Sequence, residues 1–287
     1  MNTKPLFRKP DSALIIAGHG STLNPDSSDP THLHARTLRE RGVFGEVAVC
    51  FWKEEPSFRQ VFRMIDATEI YIVPNFISEG YFTKTVLPRE LGLDAAVTVR
   101  EGKTINYCDP VGNHPNMTRL ILQRAQEVAP DLAPEEVSLV IVGHGTGLNE
   151  NSARAVRAQV ERIQELGRFG EVVDAFMEET PNVADWDKIT TRQNVVIVPF
   201  FIADGLHSYE DIPVLLGVES APTGAASRQD VFRRNPYRIR GRQLFYGSAI
   251  GTSPLLADVI LDQVIAFDAH NRDPLTTGSA RDALTLV

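Results

Sequence analysis

The chain has only two cysteines among its 287 residues, Cys50 and Cys108. Two thiols cannot build a disulfide framework, a four-cysteine zinc site or an all-cysteine iron–sulfur cluster within one chain. Any metal that binds here must therefore be held mostly by histidine and carboxylate side chains.

Long apolar runs are also missing. No stretch approaches the roughly 20 apolar residues that a bilayer span requires. The opening residues place Asp11, Ser12 and a glycine-containing turn where a signal peptide would need its apolar core and cleavage site. These absences predict a cytoplasmic protein with no membrane partner.

Positive charge is in deficit, because 29 Lys and Arg stand against 37 Asp and Glu, a net charge of −8. This is the wrong sign for a protein that coats a phosphate backbone, so no nucleic-acid partner is expected. The sequence also has no Walker A loop, no G-x-G-x-x-G fingerprint and no G-x-S-x-G elbow. No nucleotide cofactor is therefore predicted.

What the chain does contain is an internal repeat. LIIAGHGSTLN at 14–24 recurs as LVIVGHGTGLN at 139–149, so that His19 and His144 define an offset of 125 positions. The same offset relates many later positions, including Pro74 to Pro199 and Pro88 to Pro213. We predict two copies of one unit, 1–130 and 131–287. The second copy carries a basic insertion at 218–242, read as a loop or flap, and a polar tail from residue 270.

Within each unit, apolar runs alternate with segments of helical spacing, the pattern of parallel strands joined by crossover helices. We predict an α/β fold in which each repeat is a parallel four-stranded sheet flanked by helices. Helices are expected near 31–41 and 58–65, and again near 152–166 and 183–189.

Titratable side chains follow the predicted strands of the second repeat, where ligands of such sheets bind. His144 lies in the turn after its first strand, Glu178 and Glu179 follow its second, and His207 follows its third. Imidazole is the commonest ligand of transition metals, and two histidines on one rim could share one ion. The acidic residues 210 and 211 lie beside them.

The first repeat lacks most of these groups. Its counterpart of His207 is Phe82, and Thr85 and Val86 stand where the second repeat has acidic residues. We therefore predict one metal site, in the second repeat. His19 keeps its turn, and either a structural or a substrate-side role is open to it.

The glycines Gly143 and Gly145 allow the sharp turn around His144. The helix that follows this turn, after Thr146, offers free backbone N–H groups to an anion.

Three segments together resemble the class II, metal-only tetrapyrrole chelatases, in particular the long two-repeat form of the CbiX/SirB sirohydrochlorin chelatases. They are the GHG-[ST] turn in both repeats, FMEETP at 176–181, and IVPFFIADGLHSYEDIP at 197–213. The resemblance implies two α/β halves that face each other across a cleft. It also implies insertion of a divalent metal substrate, Co²⁺ first and otherwise Fe²⁺ or Ni²⁺, into sirohydrochlorin or a related anionic tetrapyrrole of cobalamin or siroheme biosynthesis.

The resemblance also implies roles for individual residues. The metal ligands are expected to be His144, His207 and Glu178, and the catalytic residues His144, His207 and Glu179. A histidine or a carboxylate would accept the pyrrole protons as a general base. The macrocycle is expected to meet Gly143, Gly145, Thr146, Arg154 and His19. Arg157 and the arginines of 228–242 are further candidates for contacts with its carboxylates.

Two other functions remain open. A carrier could hold the metal or the tetrapyrrole without inserting metal, because the first repeat lacks a counterpart of His207. A phosphate-ester hydrolase using His144 is a weaker alternative. The chain is expected to be a monomer or a homodimer, since the duplication already supplies both walls of a cleft.

Overall fold

The computed structural model describes residues 7–145, 151–222 and 227–272. Within them the chain forms two five-stranded sheets of equivalent topology, ordered β2-β1-β3-β5-β4 and β7-β6-β8-β10-β9. The first sheet comprises β1 (Lys9–Gly18), β2 (Phe44–Phe51), β3 (Glu69–Pro74), β4 (Val97–Arg100) and β5 (Lys103–Tyr107). The second comprises β6 (Val137–Gly143), β7 (Glu171–Phe176), β8 (Asn194–Pro199), β9 (Tyr237–Ile239) and β10 (Arg242–Tyr246). The predicted α/β fold with two repeats is confirmed.

Helices flank both sheets. They are α1 (Asp29–Glu40), α2 (Leu87–Leu91), α3 (Met117–Val128), α4 (Asn151–Glu165), α5 (Trp186–Ile189), α6 (Ile212–Leu216) and α7 (Leu256–Arg272). The helix predicted at 58–65 is only a 3₁₀ turn at Val61–Met64, and the one predicted at 183–189 begins as a 3₁₀ turn before α5. None of the helices in the described ranges is long and apolar enough to cross a membrane.

Each sheet has one strand more than expected. Four strands pair in parallel, as predicted, and the fifth is an antiparallel edge strand. The turn from β4 to β5 holds Glu101 and Gly102 at positive φ, and the turn from β9 to β10 does the same with Arg240 and Gly241. Positive φ at both central residues is the geometry that joins two antiparallel strands tightly.

The expectation of a loop or flap at 218–242 was wrong where that segment is described. It contains β9 and a 3₁₀ turn at Gln229–Phe232. Val231 is fully buried, and the ring of Phe232 lies 5.3 Å from that of Tyr246. These few apolar residues anchor the segment, although arginines dominate its composition. Of the predicted tail, residues 270–272 continue α7, and 273–287 lie outside the described residues.

The last helix of each repeat packs on the sheet of the other repeat. From α7, the ring of Phe267 lies 6.3 Å from that of Tyr71 on β3, whose hydroxyl donates to Asp268. The helix α3 packs on β8 of the second sheet, and its Arg124 guanidinium donates to the Thr252 hydroxyl, in the turn after β10, at 2.9 Å. One buried apolar cluster accordingly runs through both repeats. The division at residue 130 stays a prediction about the sequence repeat, while the core itself is shared.

His34 on α1 is part of this shared core. It is fully buried, and its Nε2–H donates to the carbonyl of Gly251 at 2.8 Å. Its Nδ1 has no hydrogen-bond partner among the described residues. Burial lowers the pKa of His34 to about 4, so the folded protein holds this ring neutral.

We expect His34 to make the protein less stable in weak acid. The unfolded chain protonates this histidine near pH 6.5 and the folded chain only near 4, so stability is lost as pH falls between these values. Wild type should lose about 2 kcal/mol more than His34→Gln between about pH 7.5 and about pH 5, because glutamine keeps a donor for Gly251 and does not titrate. Urea unfolding of both proteins at both pH values measures this difference, and equal losses would contradict it.

Candidate active site

The turn that holds His144 follows β6. Gly145 has a φ of +68°, and a Cβ at this position would lie 2.6 Å from Cγ of Glu179, so only glycine fits. Nδ1 of His144 lies 2.8 Å from the carbonyl oxygen of Gly145. Since a carbonyl only accepts, Nδ1 carries the proton, and the lone pair is on Nε2.

His207 begins a π-helical turn, His207–Asp211, that leads into α6. Such turns occur frequently at functional sites. Its Nδ1 lies 2.6 Å from the Asp211 carboxylate, which accepts the ring proton and again leaves the lone pair on Nε2. A carboxylate in this position orients the ring, as is usual for metal-binding histidines.

The structure brings His144, His207 and Glu178 together. The two imidazole rings lie 4.9 Å apart between centroids at an angle of 80°, and Glu178 Oε1 is 3.7 Å from Nε2 of His144. The side chains are open to solvent, with 35% of His144 and 47% of His207 exposed. No cluster of three or more potential metal ligands occurs in the part of the chain described. The arrangement is therefore a pair of imidazoles with a more distant carboxylate.

Glu179 lies against the same turn and has an unusual environment. Its Oε1 is buried without a hydrogen-bond partner in the described ranges. Its counterpart in the first repeat, Glu54, accepts from the backbone N–H of Ser21 at 2.5 Å and from the Ser28 hydroxyl at 2.7 Å. The position equivalent to Ser28 is Ala153, which has no hydroxyl. An unsatisfied carboxylate oxygen is costly to bury and gains by meeting a proton or a cation.

A cleft of about 640 Å³ lies between the repeats. His207, Phe201 and Ile202 line it from the second repeat. His19 and Phe76 line it from the first, so the predicted substrate-side histidine faces the same space as His207 of the histidine pair.

The other predicted contacts are distributed differently. Gly143 and Gly145 form the turn, Arg154 lines a separate groove of about 240 Å³ beside α4, and Thr146 lies outside the described residues. Several arginines proposed to meet an anion already face carboxylates of the chain itself. The pairs are Arg157 with Asp174, Arg228 and Arg234 with Glu219, and Arg240 with Asp187.

Sequence reasoning missed Lys53, which lines the cleft from the first repeat. The sequence contained the signal, because the offset of 125 makes Lys53 the first-repeat equivalent of Glu178. It also missed that Asp211 is the hydrogen-bond partner of His207, although it had noted Asp211 as an acidic neighbour.

Comparison with known proteins agrees with this fold. The model of the CbiX family matches residues 13–128 and 138–266, once in each repeat. The probable sirohydrochlorin cobaltochelatase of Halobacterium salinarum is 45% identical over an alignment of 269 residues, and the match covers 88% of this chain and 90% of that protein. The sirohydrochlorin cobaltochelatase of Methanopyrus kandleri is 30% identical over 137 residues, 45% of this chain and 94% of that protein.

Solved structures share the architecture. DR2241 from Deinococcus radiodurans superposes with a TM-score of 0.72 at 28% identity, covering 88% of this chain. This chain spans 54% of that longer protein, which is described as similar to chelatases with two additional domains. SirB from Bacillus subtilis, solved with Fe³⁺, superposes with a TM-score of 0.68 at 19% identity, covering 91% of this chain and 97% of SirB.

A duplicated α/β fold with a histidine pair at the strand ends defines this protein as an enzyme of the metal chelatase class. Within that class, the match across both repeats places the chain in the CbiX family.

Proposed function

We propose that this enzyme inserts a divalent metal ion into sirohydrochlorin or a closely related tetrapyrrole, with Co²⁺ as the first candidate and Fe²⁺ or Ni²⁺ as alternatives. The observation that carries the proposal is the pair of Nε2 lone pairs on His144 and His207, each fixed by a hydrogen bond at Nδ1. The relative from Halobacterium salinarum, 45% identical, supports cobalt and sirohydrochlorin.

In this reaction the metal is a substrate and must be released from the protein. Two neutral imidazoles suit Co²⁺, Fe²⁺ and Ni²⁺, and a carboxylate farther away adds attraction without completing a closed cage. Glu178, 3.7 Å from His144 and 57% exposed, fits that part. The site can therefore strip water from the ion and still pass it on.

Insertion also removes protons. The metal-free macrocycle has two pyrrole N–H groups, and the product holds M²⁺ in their place, so two H⁺ leave for each ion inserted. Glu179, with its unpartnered Oε1 beside the His144 turn, is our candidate for the group that accepts the first of them. The proton then passes to solvent through the open rim.

The cleft between the repeats is where the macrocycle binds in this proposal. Its volume of about 640 Å³ is within the range of small-molecule sites. Its apolar residues Phe76, Phe201 and Ile202 suit the flat face of a conjugated ring system.

Mixing the purified protein with Co²⁺ and sirohydrochlorin, and following the change in absorbance, tests the proposal. We expect insertion well above the rate of the metal and macrocycle alone. Binding of both ligands with no rate above that background would favour the carrier function instead. The cytoplasmic location, the monomeric or homodimeric state and the absence of a nucleic-acid partner stay predictions.

A further inference from the structure

The first repeat has the same turns as the metal site, but different side chains stand at the positions of two candidate metal ligands. Lys53 stands where the second repeat has Glu178, and Phe82 stands where it has His207. Phe82 also begins a π-helical turn, Phe82–Val86, as His207 does. The two repeats thus share the backbone of the site. In the first repeat, however, a phenylalanine ring replaces the ligand His207, and the positive charge of Lys53 replaces the negative charge of Glu178.

The ring contacts at this position form an aromatic cluster. Phe82 stacks on Phe76 at 5.1 Å between centroids and lies 5.8 Å from the ring of Trp52. His19 lies 5.6 Å from Phe82, much as His144 faces His207. A single imidazole beside aromatic carbon cannot hold a divalent ion as a pair of imidazoles can.

Lys53 fixes the electrostatic character of this surface. Its backbone N–H donates to the His19 carbonyl at 2.9 Å, which holds it next to the turn. Its ammonium group lies 5.8 Å from the centroid of Trp52, and no carboxylate of the described residues forms an ion pair with it. Lys53 lines the cleft, so its charge repels a divalent cation and attracts an anion there.

We propose that His19, Lys53 and Phe76, supported by Phe82 packed against Phe76 and His19, form a binding site for the metal-free macrocycle, in which Lys53 pairs with one of its peripheral carboxylates and Phe76 contacts the ring system. This rests on the proposed function of the cleft. The duplication has then produced two different sites facing one cavity, one that receives the cation and one that receives the anionic aromatic ligand. A cation bound to the first-repeat wall of the cleft would compete with metal insertion, and the positive charge of Lys53 excludes it.

The test is equilibrium binding of metal-free sirohydrochlorin, followed by its absorbance, to wild type, Lys53→Glu, Lys53→Arg and Arg119→Glu. Arg119 is an exposed residue of α3 that does not line the cleft, and its replacement changes the net charge by the same amount. We expect Lys53→Glu to raise Kd about tenfold or more, as for a lost charge pair replaced by a repulsive one. Lys53→Arg and Arg119→Glu should stay within about threefold of wild type. Equal Kd values for Lys53→Glu and Arg119→Glu would overturn the proposal.

Titration of the same proteins, together with His207→Ala, with Co²⁺ separates this inference from the proposed function. Lys53→Glu should bind Co²⁺ at least as tightly as wild type, because a positive charge has left the cleft. If His207→Ala loses Co²⁺ binding while Lys53→Glu binds the macrocycle as wild type does, the assignment of the macrocycle site is wrong and the assignment of the metal site stands. If His207→Ala binds Co²⁺ as wild type does, the metal site itself is wrong.

Discussion

His207→Ala should weaken Co²⁺ binding by about 100-fold or more and should reduce metal insertion with it. Loss of one outer hydrogen bond to a ligand histidine costs about 10- to 100-fold in metal affinity, and removal of the ligand itself should cost at least as much. The variant keeps only His144, with Glu178 at 3.7 Å from its Nε2. Titration with Co²⁺, read by its visible absorption or by heat, measures the change.

Two further variants identify the cause of this loss. Asp211→Ala removes the carboxylate that lies 2.6 Å from Nδ1 of His207, and its effect should be intermediate, about 10- to 100-fold. His32→Ala removes an exposed histidine that lines a different groove, and it should bind Co²⁺ as wild type does. If His207→Ala and His32→Ala had equal Co²⁺ affinity, the assignment of the histidine pair would be wrong.

Glu179→Gln should lower the rate of insertion by about 10²- to 10⁴-fold while leaving Co²⁺ affinity within a few fold of wild type. The amide has the shape of the carboxyl group but cannot take a proton from a pyrrole nitrogen. Single-turnover insertion with preloaded Co²⁺ separates proton transfer from metal binding. A Glu179→Gln variant that inserted preloaded Co²⁺ at the wild-type rate would contradict this role.

Glu54 provides the matched control, because it occupies the equivalent position in the first repeat. Its carboxylate oxygens already accept from Ser21 and Ser28, so Glu54→Gln should alter stability and not the chemical step. A loss of insertion rate of the same size in both variants would assign Glu179 a structural role in its turn. The comparison is informative because the two glutamates differ mainly in whether their oxygens have partners.

Much of the candidate site could be predicted from the sequence, because the carboxyl ends of parallel strands lie at the same edge of a sheet. His144, Glu178 and His207 follow three different strands of one sheet, and that alone brings their loops together. The repeat then showed that the first half lacks a second histidine. These inferences required only the order of apolar runs and the fixed offset.

The features that escaped prediction depend on contacts between distant segments. The apolar faces of α3 and α7 do not indicate which sheet they cover, so the exchange of these helices between the sheets could not be read from periodicity. The edge strand β9 is three residues long, Tyr237–Ile239, and is surrounded by arginines whose carboxylate partners lie elsewhere in the chain. The unpartnered oxygen of Glu179, and the alanine at 153 where the first repeat has Ser28, matter only once the turn is folded.

The exchange of terminal helices limits how the enzyme can move. Spreading the two walls apart would pull Asp268 from Tyr71 and Arg124 from Thr252 at once, and would open the shared core. We therefore expect the distance between the walls to stay nearly constant through a turnover, without the hinge closure by which many two-lobed proteins enclose a ligand. The macrocycle would slide in from the open side, and any bending that presents its nitrogens to the ion would be imposed by a rigid slot.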